Sequence, residues 1–166
     1  GFENIYSIDQ IPLPPNFLPE HPFDYGNLRG RDETLLPFPR TPQMVRDVLR
    51  MYYSVISHMD RQIGRILAAL EETGQADNTI VVFTSEHGDM MGDHHHWRKT
   101  YAYEGSARIP FLIKYPNSWN FERDAVYDQP VELRDIMPTL LDAAGVDIPD
   151  SVDGRSLLDL ARGQSE

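Results

Sequence analysis

Four of the six histidines in this chain fall between positions 87 and 96, within the run TSEHGDMMGDHHHWRKTYAYEGSARIPF from Thr84 to Phe111. A carboxylate and an imidazole stand side by side at Glu86 and His87, and both are competent ligands for a divalent cation. Gly88 follows and lets the backbone turn sharply, so two adjacent side chains can face one point. Two protein ligands do not complete a catalytic metal site, so the rest must come from outside this segment; the alternative is a loop pair that only hydrogen-bonds. Asp89 and Asp93 read as solvated loop carboxylates. His94, His95 and His96 each carry a metal-competent nitrogen, but consecutive side chains rarely point to one centre. Lys99 is a compact point charge able to hold an oxygen of a small oxyanion such as sulfate or phosphate, and Arg108 could do likewise. For both, an ion pair with Glu104 or another acid is the alternative. Asp135 and Asp153 have no context beyond helix and turn chemistry.

The elements around this stretch read as an α/β layered fold. TIVVFT, Thr79 to Thr84, is β-branched or aromatic throughout and predicts a strand buried on both faces, as in a parallel sheet flanked by helices. Glu86 and His87 then lie at its carboxyl end, where ligands bind in open α/β sheets. A second strand is predicted over Ile109 to Tyr115, with Pro110 at its start or on an edge. Between Thr41, a good N-cap, and Gly74, a good terminator, lies one long helix with Pro42 at its first position. Val45, Leu49, Tyr52, Ile56, Met59, Ile63, Ile66 and Leu70 line one face of it. About 31 residues at 1.5 Å each give roughly 46 Å, a stripe suited to a sheet larger than this chain would build. Tyr52, Tyr53, His58 and Met59 are read as core and flank packing.

Before that helix, Gly1 to Arg40 contains seven prolines and predicts an extended strap over a surface supplied by something else. After the second strand, Leu133 to Ala144 predicts a short helix ended by Gly145 and kinked or restarted at Pro138, and Ser156 to Arg162 one more. The expected organisation over 1–166 is a proline-rich strap (1–40), a long helix (41–74), a strand, site loop and second strand (79–116), and C-terminal helices (131–166).

A chain of 166 residues suits one ordinary domain able to bury roughly 70% of its unfolded surface. Its net charge of -11 argues against general nucleic-acid binding and against adsorption to anionic membranes, though not against one basic cleft. With no cysteine there are neither disulfides nor thiolate metal ligands, and no apolar run is long enough to span a membrane.

Taken together, NTIVVFTSEHGDMMGDH, Lys99, YEGSARIPFLIKYP, the preceding helix YYSVISHMDRQIGRILAALEETG and the later LRDIMPTLLDAAGVDIPDSVDGRSLLDL resemble the sulfatase family of the alkaline-phosphatase-like superfamily. The likeness runs from about Pro12 to the C-terminus. It implies a mixed, mostly parallel sheet flanked by helices, here incomplete. It also implies a sulfuric ester hydrolase with a divalent cation, commonly calcium, and a formylglycine nucleophile derived from Cys or Ser. The family's metal-binding acid and its Asn or His partner match Glu86 and His87, and its sulfate-contacting lysine matches Lys99 as a catalytic and substrate-binding residue. Arg108 matches a recurrent position and is carried as substrate-binding.

Two departures stand out. The family's acid is more usually aspartate, and the longer Glu86 beside a histidine leaves manganese, zinc and magnesium open alongside calcium. The family's N-terminal nucleophile motif, Cys/Ser-x-Pro/Ala-x-Arg, is absent, so the formylglycine is expected outside this chain, which looks like a middle piece inactive alone. Expected partners are a sulfated carbohydrate or aryl sulfate ester and the remainder of the same polypeptide, with no nucleic acid and no membrane. The family implies a periplasmic, secreted or lysosome-like compartment. A phosphonate monoester hydrolase or phosphodiesterase of the same superfamily is one alternative; a non-catalytic cation- or carbohydrate-binding module is another.

Overall fold

The computed structural model describes residues 1–164. Its elements, in order, are α1 (Pro42–Glu72), β1 (Val81–Thr84), α2 (Glu104–Ala107), β2 (Phe111–Lys114), α3 (Ile136–Ala143) and α4 (Leu158–Ala161), with short 3-10 turns between them. The chain divides into two compact units. One comprises Gly1–Ala76 with Val82–Ile113; the other takes Asp77–Val81 and the chain from Lys114 onward.

In the first unit, α1 begins as its sequence dictates. The Thr41 hydroxyl accepts the Met44 amide at 3.2 Å, and Pro42 occupies the first turn, where no amide partner is needed. It ends in a Schellman turn: the Gly74 and Gln75 amides donate to Glu71 and Leu70, with Gly74 at φ 69°. Only the N-terminal part of the stripe is fully buried. Val45 and Leu49 are buried with Ile11, Leu36, Met91 and Trp97, and Tyr6, Leu13 and Phe17 pack against this cluster. The strap therefore lies on this chain's own α1, correcting the expectation that its surface comes from elsewhere. Arg46 Nε donates to the Ile11 carbonyl at 3.1 Å, and Tyr6 Oη stands 2.7 Å from Ser57 Oγ. Further along, Tyr52, Ile56, Met59 and Ile66 stay exposed, so Tyr52 and Met59 are not core residues here. Tyr53 meets Tyr6 edge-on, and His58 meets Phe2 in the same way.

β1 pairs with β2 in a two-stranded sheet. The strand buried on both faces is corrected: Phe83 is exposed and the rest of β1 is only half-buried, and this sheet has no further strand among the described residues. Pro110 sits just ahead of β2, where its missing amide costs no ladder bond.

In the second unit, Pro138 falls in the first turn of α3, so no kink arises. Asp135 is buried because its carboxylate accepts the Glu132 amide at 2.8 Å and the Arg155 amide at 3.0 Å, a structural use. A second Schellman turn closes α3 at Gly145.

Candidate active site

β1 delivers the chain to Ser85, whose hydroxyl donates to the His87 carbonyl at 2.7 Å and braces the turn. Gly88 closes that turn against the α2 region, its amide donating to the Ser106 carbonyl at 2.8 Å. A Cβ on Gly88 would stand 2.2 Å from the Gly105 carbonyl oxygen, so only glycine permits this approach. Glu86 and His87 are thereby held together, with His87 Nε2 3.1 Å from Glu86 Oε1. The other ring nitrogen, Nδ1, is 2.9 Å from the Gly88 carbonyl. Glu86 is 80% exposed and His87 27%, so the pair is open to a ligand.

Beyond it the site loop doubles back on itself. The Met90, Met91 and Gly92 amides donate to the carbonyls of Arg98, Trp97 and His96, and Asp93 bridges to Phe17 of the strap. Asp89 Oδ1 faces Arg98 Nε at 3.2 Å. The three consecutive histidines go to three destinations. His94 stacks on Tyr103 at 4.2 Å beside Asp93; His95 bonds the Pro19 carbonyl through Nδ1; His96 is buried and stacks on Tyr101 at 3.7 Å. Burial, ahead of its charged neighbours, lowers the His96 pKa to about 4 and keeps the ring neutral near pH 7. Burial acts first on His95 too, pushing its pKa down with help from Arg40, and it pushes the Tyr101 hydroxyl up. No group of three His, Cys, Asp or Glu side chains converges as a metal site among the described residues.

The loop's far end is anchored by a buried ion pair that sequence reasoning missed. Glu33, 4% exposed, accepts from Arg40 Nη1 at 2.8 Å, from the Trp97 amide at 2.9 Å and from the Arg98 amide at 3.2 Å. Arg40 is fully buried; it also donates to the carbonyls of His95 and Glu33, and its guanidinium lies 4.5 Å from the centre of the Phe38 ring. Nothing local marks these two residues, because their meaning depends on a loop 55 to 65 positions away. Lys99 follows directly and has no ion-pair partner among the described residues; it lines a cavity of about 430 Å³ between strap and loop. Arg108, by contrast, pairs with Glu104 at 3.3 Å on the open surface of α2.

A short strand whose end bears an acid–histidine pair, in a chain of helices and a small sheet, is an α/β fragment of the alkaline-phosphatase-like class. Within that class the chain belongs to the sulfatase family, whose model, described as "Sulfatase", matches residues 11–146. An arylsulfatase from Clostridium perfringens is 50% identical over 133 residues, 80% of this chain and 28% of that protein. The phosphonate monoester hydrolase of Silicibacter pomeroyi superposes with a TM-score of 0.83 at 33% identity, covering 99% of this chain and 34% of that one. A structure in complex with its substrate D-glucosamine-2-N,6-O-disulfate superposes with a TM-score of 0.61 at 30% identity, covering 76% of this chain and 26% of that one. The chain thus spans under a third of the Clostridium arylsulfatase's length.

Proposed function

We propose that this chain forms the cation- and anion-binding side of a sulfuric ester hydrolase, with Glu86 and His87 as two of the metal ligands and Lys99 as the sulfate contact. The observation that carries this reading is the orientation of His87. A carbonyl only accepts, so in the neutral ring Nδ1 donates to Gly88 and Nε2 keeps its lone pair. That lone pair faces a carboxylate oxygen at 3.1 Å, an arrangement that is repulsive unless a proton or a cation lies between the two. The donors thus fit a divalent cation as part of its shell, and oxygen with nitrogen suits manganese, zinc or magnesium as well as calcium. When bound, such a cation would polarise a sulfuryl oxygen as a Lewis acid.

The chain's own residues divide the remaining work. Gly88 and Ser85 orient the ligand pair. The Lys99 ammonium, without an ion-pair partner among the described residues, places positive charge where negative charge spreads over the sulfuryl oxygens in the transition state. Arg108, exposed and tied to Glu104, is held as a peripheral substrate contact. The formylglycine nucleophile is assigned to a segment outside this sequence, which has no cysteine and no serine in the required motif.

The test is turnover of an aryl sulfate by the complete protein that contains this chain. Lys99→Ala should lower kcat by roughly 100- to 1,000-fold, the typical cost of removing one preorganised charge contact. Dialysis against a chelator should abolish turnover until a divalent cation is returned. Undiminished kcat in Lys99→Ala, or hydrolysis by the purified 166-residue chain alone, would contradict the assignment.

The superposition on a phosphonate monoester hydrolase, together with histidine at position 87, favours a second reading, hydrolysis of a phosphonate monoester or phosphodiester. A higher kcat/KM for such an ester than for the aryl sulfate would select it.

A further inference from the structure

The cavity beside Lys99 is larger than an oxyanion needs. At about 430 Å³ it falls within the range of pockets that enclose whole small molecules, roughly 300–1,000 Å³. Tyr25, Arg31 and Asp32 of the strap line it together with Arg98, Lys99 and Tyr101 of the site loop. Two of the five charges in these walls are already matched. Arg98 faces Asp89, and Glu33 is consumed by Arg40 and two loop amides. Three have no ion-pair partner among the described residues: the cations Lys99 and Arg31 and the carboxylate of Asp32.

Arg31 is also placed against its local preference. Its φ is 51°, in the left-handed region that favours glycine, whereas the glycine beside it, Gly30, sits at φ -98°, open to any residue. Exchanging the two would relieve the backbone but move the guanidinium. A strained residue at the lip of a cavity is a pointer to function rather than to stability.

We infer that this cavity receives the organic part of the ester, and that Arg31 reads a second anionic group on it, so that the preferred substrate is a sulfated sugar bearing a further sulfate or a carboxylate. The inference rests on the sulfatase reading for the role of Lys99. A guanidinium is planar and offers paired donors that match either anion, which a lone ammonium does not. Asp32 can accept only from donors, and sugar hydroxyls supply them. The Tyr101 ring, backed by its stack on His96, forms a fixed wall for the sugar ring.

The test is calorimetric binding to the complete protein of sugar sulfonates, in which a C–S bond replaces the scissile ester so that nothing turns over. Glucosamine 6-sulfonate is compared with its 2-N-sulfated form in one arm and with its uronic-acid-linked form in the other. In at least one arm the second anion should tighten Kd about tenfold or more, the usual scale of one charge-assisted hydrogen bond. Arg31→Ala and Arg31→Gly should both bring that ratio to about one, and Arg31→Glu should invert it. Because Arg31→Gly relieves the backbone, its effect does not reduce to misfolding. A ratio near one in both arms for the unsubstituted protein, or a ratio that survives Arg31→Gly, overturns the inference. Arg31-dependent discrimination without hydrolysis of the matching esters would instead refute the sulfatase reading and leave the pocket assignment standing.

Discussion

At the scale of single residues, the site depends on groups of two kinds. Glu86, His87 and Lys99 carry types and positions that chemistry alone can single out. Glu33 and Arg40 do not, yet they hold the backbone from which Lys99 projects. A fully buried guanidinium is tolerable only while its partners remain, because an uncompensated charge in the interior is costly. Glu33→Ala strands Arg40 and also removes the acceptor for the Trp97 and Arg98 amides. It should lower stability by about 3–5 kcal/mol, read from the urea midpoint, with Glu33→Gln losing less because an acceptor oxygen survives. Equal midpoints for Glu33→Ala and the unsubstituted protein would show that the pair contributes nothing net.

At the scale of elements, the turn after β1 shows how a short strand orients chemistry. Gly88 approaches the Gly105 carbonyl so closely that the loop and the α2 region lock together, which fixes the direction in which Glu86 and His87 leave the strand. Gly88→Ala forces that backbone apart and should cost about 1–3 kcal/mol, with loss of cation binding. Gly64 provides the contrast. It lies inside α1 with open space where a Cβ would go, so Gly64→Ala should raise stability by about 0.5–1 kcal/mol. Thermal unfolding of both variants checks the pair; a stabilised Gly88→Ala would remove the steric argument for the turn.

At the scale of the molecule, α1 is the element least satisfied by this chain. Met51, Val55, Ile56, Met59, Ile66 and Leu67 are exposed along it, far more contiguous apolar surface than a solvated helix carries. Together with a span of 28% of the Clostridium arylsulfatase, this supports the expectation that further polypeptide covers the stripe. The 166-residue chain by itself should therefore bind a hydrophobic dye and self-associate at micromolar concentration. Size-exclusion elution as a monomer without dye binding would show that the stripe needs no cover.

The sequence by itself determined what depends on neighbours along the chain. Thr41, Pro42 and Gly74 bound α1 because caps and Schellman turns act within a few residues. The family, too, was legible from motifs in fixed order. Strand burial was not, since the pattern in TIVVFT states what a strand could bury and only the assembled layers state what it does bury. The strap's resting place on α1, the dispersal of His94, His95 and His96, and the Glu33–Arg40 anchor belonged to the tertiary structure alone. So did the cavity that Arg31 and Lys99 both line, for each joins residues distant in sequence whose side-chain types carry no record of their partners.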